Sequence, residues 1–183
     1  MPRPIVAYVK YVDRVNRFFG RMAMYMIFLM LAVLLYSSIS KAFFLPAIWT
    51  LELAQFLMAA YYILGGGYSM QLHAHVRMDL LYGRWSRKGM AFSDTLTSVC
   101  LISYIVLLLV GGISSTDYAL EYGEQSYSSW APYMAPIKII MCFGIFMMLL
   151  QAIAFFFKDL AALRGLTVDG RPLPEYEVSD EVM

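Results

Sequence analysis

Charge is scarce in this chain. Of 183 residues only 15% are Asp, Glu, Lys or Arg, whereas 61% are hydrophobic and the mean hydropathy is +0.63. A soluble domain of this size could not bury so much apolar surface, so lipid must cover the remainder. Cysteine is nearly absent: Cys100 and Cys142 each lie inside an apolar run, at positions that the topology below puts at different depths. No paired Cys/His spacing surrounds either one, so both read as small hydrophobes without disulfide or metal chemistry. A glycine loop followed by a phosphate-binding lysine is missing, as is any nucleophile with a base and an orienting carboxylate, so the sequence predicts no enzyme. The alternation of a lipid-exposed barrel is missing too. So is any internal repeat, which argues for a subunit over a self-sufficient transporter.

What is present is four long apolar runs. Hydrocarbon about 30 Å thick needs about twenty apolar helical residues, and the runs at 22–44, 48–72, 92–113 and 136–157 meet that length. The predicted fold class is an all-α integral membrane protein with four transmembrane helices. The first run begins only after some twenty polar and amphipathic residues and lacks a small-x-small cleavage site, which predicts a retained helix and not a signal peptide.

Basic residues fix the expected orientation, because positively charged flanks stay on the cytoplasmic side. Arg3, Lys10, Arg14, Arg17 and Arg21 precede the first span; Arg77, Arg84, Arg87 and Lys88 separate the second and third; Lys158, Arg164 and Arg171 follow the fourth. Only Lys41 and Lys138 of the 14 basic residues fall on the other side, where the loop between spans three and four carries Asp117, Glu121 and Glu124. Both termini are therefore expected in the cytoplasm, with the chain multi-pass in the membrane.

Residues 1–21 form the first predicted unit. At helical pitch, Ile5, Tyr8, Val9, Val12, Val15 and Phe19 gather on one side and Lys10, Asp13, Arg14 and Arg17 on the other, the pattern of an interfacial amphipathic helix. A four-helix transmembrane domain is expected over 22–163. The remainder, 164–183, holds Gly170, Pro172, Pro174 and several acids, and predicts a mobile cytoplasmic tail.

Few residues in the spans could carry chemistry. His73 and His75 are the only histidines. Residues two apart on a helix diverge by about 200°, so the pair cannot clamp one haem iron, and no second helix supplies a histidine. No cofactor or metal is expected. Glu52, with Gln55 three residues on, sits early in the second span; it stays hydrated near the headgroups, or pairs with Lys41 or Lys138 at the same level, or else pairs helices or subunits. Gly65, Gly66 and Gly67, and Gly111 with Gly112, allow another helix to approach closely; the competing reading is a loosened, substrate-coordinating helix, which few polar side chains accompany.

The stretch Gly65 to Leu81, which ends a span in His75-Val76-Arg77-Met78-Asp79, resembles the signature of the small membrane subunits of tripartite ATP-independent periplasmic (TRAP) transporters, the DctQ type. The glutamate at 52, the Trp130-Ala131-Pro132 approach to the fourth span with Pro136 and Lys138, and its Leu149-Leu150-Gln151 close are similar to that family as well. His73 and the acidic tail depart from the pattern.

The resemblance implies partners: a large membrane subunit in stable complex, a periplasmic substrate-binding protein in transient contact, and the lipid bilayer, with no nucleic acid. It implies a fixed scaffold for the large elevator-type subunit in sodium-driven uptake of an organic acid or related solute. On that reading Asp79 caps the following helix or pairs with Arg77 or Arg84, against the simpler alternative of topology anchoring by charge. Asp117, Glu121 and Glu124 become candidates for docking the binding protein. The alternative is a membrane-anchor subunit of a respiratory oxidoreductase, which would bind quinone or haem.

Overall fold

The computed structural model describes residues 3–72 and 87–163. Four α-helices run through them: α1 (Arg3–Phe43), α2 (Thr50–Gln71), α3 (Arg87–Glu121) and α4 (Ala135–Leu163). The described residues contain no strand, only an isolated bridge between Gln125 and Tyr133. Three helices, α1, α3 and α4, are long and apolar enough to cross a membrane. The fourth, α2, is 22 residues long but carries Glu52, Gln55 and three glycines. It packs on both α1 and α4, so less of its surface needs to suit lipid.

The first helix is one continuous rod of 41 residues. An interfacial helix lying ahead of a separate span was expected; no break occurs between them. Residues 20–22 mark a change of polarity and hold nothing that stops a helix. At 1.5 Å per residue α1 is about 60 Å long, roughly twice the hydrocarbon thickness, so its polar half extends beyond the apolar one. The apolar arc of that half meets protein: Val9 and Val12 are buried with Ala154 of α4, and Ile5, Tyr8, Leu150 and Phe157 close around them. The helix stops at Phe43 because Pro46 disfavours helical geometry in the residue before it. Ser40 Oγ then donates to the Leu45 carbonyl at 2.8 Å, and Thr50, fully buried, donates to the Ala47 carbonyl and shares a hydroxyl–hydroxyl hydrogen bond with Ser37 Oγ, both at 2.9 Å. These bonds close a six-residue turn between α1 and α2.

A second core lies between α2, α3 and α4. Met70, Ile105, Ile145 and Ala152 are buried there, and Ile63, Ile102 and Met148 pack around them. The third helix continues past the expected end of its span at 113 to Glu121. Hydropathy falls at Ser114, but a polar helix is still a helix. Gly123, at φ +60°, ends it in the left-handed conformation, with the Glu124 amide donating back to the Ala119 carbonyl at 3.2 Å. The loop returns through hydrogen bonds from Ser126 to Pro132 and from Met134 to Glu124. Pro136 then lies in the first turn of α4, where its missing N–H costs nothing.

Candidate functional site

Asn16 and Gln151 are polar side chains in apolar surroundings, 2% and 0% exposed. Burying such amides is costly unless every donor and acceptor finds a partner. Asn16 Nδ2 donates to Gln151 Oε1 at 2.8 Å and to the Met147 carbonyl at 3.4 Å. The last residue of α2, Gln71, donates from Nε2 to the same Gln151 Oε1 at 3.0 Å and to the Asp13 carbonyl at 2.9 Å. Gln151 Nε2 donates in turn to Asp13 Oδ1 at 2.9 Å. Only one orientation of the Gln151 amide satisfies this set, because its flip would set an NH₂ against two donors. The carboxylate of Asp13 also accepts from Lys158 Nζ, at 3.2 and 2.9 Å to its two oxygens. The Lys158 ammonium lies 4.9 Å from the centre of the Phe155 ring.

The result is a polar knot that ties α1, α2 and α4 together at the end where basic residues concentrate. Three helices contribute donors and acceptors to a shared set, so displacing one leaves the others unsatisfied. A second bond, from Tyr8 OH to the Leu150 carbonyl at 3.1 Å, fixes α1 on α4 one turn further out. Gln71 Oε1 is buried and lacks a partner among the described residues.

Glycines set the spacing around the knot. A Cβ at Gly67 would stand 2.7 Å from Asn16 Oδ1, one at Gly20 2.2 Å from Tyr68 Cβ, and one at Gly144 2.3 Å from Ile63 Cγ2. Gly66 lies against Met148 and Gly112 against Cys142, whereas Gly65 and Gly111 face open space. The backbone of α2 stays helical through 65–67, without the break that would expose carbonyls.

At the opposite end, Lys138 forms a salt bridge with Glu124 and donates to the Ser115 carbonyl at 3.3 Å. Glu124 is thus engaged within the chain, while Asp117 and Glu121 are exposed on the last turns of α3. Glu52 finds no partner in Lys138: its Oε2 is buried without a hydrogen bond among the described residues. His75, Arg77 and Asp79, with His73 and the tail from 164, lie outside the described residues. No group of three or more His, Cys, Asp or Glu able to hold a metal occurs among the described ones.

In the sequence each member of the knot looks ordinary alone. Asp13 falls on the charged arc of α1, Lys158 reads as a topology marker, and Gln71 and Gln151 belong to the family-like stretches. The available signal was Asn16, an amide on the otherwise apolar arc that carries Val9 and Val12.

Long apolar helices with large exposed side chains outside and a hydrogen-bonded polar knot inside define a helical integral membrane protein. The family model described as "Tripartite ATP-independent periplasmic transporters, DctQ component" matches residues 30–162, from within α1 to the end of α4, and the chain belongs to that family. That family is one of transporter components, not of enzymes, which speaks against the redox-anchor alternative. Comparison with curated proteins gives no match, and comparison with solved structures gives none either.

Proposed function

We propose that the chain is the small permease subunit of a TRAP transporter, a four-span scaffold that stays fixed while the large membrane subunit moves substrate by an elevator-type motion. The observation that carries this reading, beside family membership, is the knot: Asn16, Gln71, Gln151, Asp13 and Lys158 spend their hydrogen bonds on one another. Two further polar side chains in the apolar segments turn to neighbours within the chain, with Thr50 bonded to Ser37 and Thr116 near Cys142 at 3.2 Å. A translocation path would need polar groups turned toward an aqueous cavity. These are turned toward neighbouring helices, as suits a stator.

Both termini are cytoplasmic in this proposal, and α2 is the fourth span, screened from lipid by α1 and α4. The chain sits in the bacterial inner membrane with the large subunit as stable partner and the periplasmic binding protein as transient one. Uptake is driven by sodium and takes an organic acid or related solute. Asp117 and Glu121 remain the exposed acids for docking, while Glu124 shapes the loop that presents them. Glu52, whose Oε2 is buried without a hydrogen-bond partner among the described residues, serves structural pairing between helices or subunits. His75, Arg77 and Asp79 fix the inner loop.

Reconstitution tests the proposal. Liposomes holding this chain, the large subunit and the binding protein should take up solute along an inward sodium gradient, and omission of any one component should abolish uptake. Uptake by this chain alone would overturn the scaffold role. Asp79→Ala should impair assembly or uptake; a normal complex with normal transport would remove the role assigned to that residue.

A further inference from the structure

The knot uses only one side of α1. On the opposite side Lys10, Arg14, Arg17 and Arg21 recur at intervals of four, three and four residues, which sets them in one stripe along the helix. Arg14, Arg17 and Arg21 are exposed and have neither hydrogen bond nor ion pair among the described residues. With Phe18 and Asp13 they line an open groove of about 550 Å³. Asp13, the one acid in it, is already neutralised by Lys158 and bonded to Gln151.

The stripe does not end at Arg21; its chemistry changes. At the same helical pitch it continues through Tyr25 and Phe28, 72% and 66% exposed, within the apolar run that begins at Met22. Phe18, 65% exposed, flanks the junction. One face of one helix thus presents guanidinium groups followed directly by aromatic and aliphatic surface. That sequence of chemistries matches a phospholipid read from its headgroup to its chains. Guanidinium pairs with phosphate through two parallel N–H···O bonds, a geometry an ammonium cannot supply.

We propose that this stripe is a binding site for anionic phospholipid: Arg14, Arg17 and Arg21 hold the phosphate headgroup, and the acyl chains lie along Tyr25 and Phe28. The inference goes beyond the transporter reading and needs only that α1 enters a membrane at Met22. Simple retention of positive charge on one side of the bilayer would account for the number of cations. It does not require three unpaired arginines in a single stripe, in register with exposed aromatic rings and opposite the face that packs on α2 and α4.

The test uses the purified full chain, with retained lipid measured by native mass spectrometry after titration with phosphatidylglycerol or with phosphatidylcholine of the same acyl chains. Phosphatidylglycerol should be retained preferentially. Each Arg→Gln change should weaken retention by roughly fivefold, and Arg14→Gln/Arg17→Gln/Arg21→Gln together by on the order of a hundredfold. The triple Arg→Lys variant keeps the charge that guides insertion; it should keep the lipid preference and bind less tightly than wild type. Equal retention of the two lipids by the wild-type chain, or undiminished retention by the triple Gln variant, would overturn the proposal. So would displacement of the lipid by inorganic phosphate, which would mean that a free anion is recognised, or loss of the preference once the large subunit is bound, which would mean that protein covers the stripe.

Discussion

The side-chain amide of Asn16 in α1 donates to the side-chain oxygen of Gln151 in α4 at 2.8 Å, across 135 residues of sequence and in full isolation from solvent. Gln71 of α2 donates to that same oxygen. A single acceptor thus reports the relative position of three helices. In an apolar medium, where helices gain little from mutual burial, such a shared acceptor specifies which faces meet.

Replacing Gln151 with Leu should strand the Asn16 and Gln71 donors and lower stability by about 1–3 kcal/mol. Thermal unfolding of the purified chain in detergent checks this. Asn16→Leu should couple to Gln151→Leu by about 0.5–3 kcal/mol in a double-mutant cycle. Strictly additive losses would mean that the two amides act independently.

Glycine-to-alanine changes should separate into two groups. Gly20→Ala, Gly67→Ala and Gly144→Ala each put a Cβ into a neighbouring helix and should destabilise by about 1–3 kcal/mol, typical of overpacking. Gly65→Ala meets nothing within 4 Å and should be neutral or slightly stabilising. The comparison within one short segment of α2 removes general effects of glycine replacement on helicity. Equal losses at 65 and 67 would argue against close packing as the reason for the glycines.

Lys138→Met should release Glu124 and loosen the loop between α3 and α4, seen as faster amide hydrogen exchange over 122–134 with little change at the knot. The cost should be small, on the order of 1 kcal/mol, because the pair is partly solvated. Charge reversal at Asp117 and Glu121 should leave exchange unchanged and weaken the dependence of uptake on binding-protein concentration. Unaltered dependence would place docking elsewhere.

Much of this architecture was readable as hydropathy and charge. The apolar runs at 92–113 and 136–157 fall within α3 and α4, and the run at 22–44 within α1 to its last residue but one, because a lipid solvent imposes both their composition and their length. Helix ends were less legible. Hydropathy marks where lipid stops, whereas α1 and α3 run on until a proline or a left-handed glycine stops them, as Pro46 and Gly123 do. The arc of Val9 and Val12 looked made for a membrane surface, since a sequence cannot say whether an apolar stripe meets lipid or Ala154. The knot was the least legible part. Its meaning lies in distances between residues as far apart as Asp13 and Lys158, and no local pattern encodes them.

Purification of the tagged chain from native membranes in mild detergent, with mass spectrometry of what accompanies it in stoichiometric amount, tests the central claim most directly. The account predicts a large many-span membrane protein, whose loss on adding the disruptive Gly20→Ala and Gln151→Leu changes would tie assembly to the scaffold described here. A flavin or iron–sulfur protein in its place, or no partner at all, would contradict it.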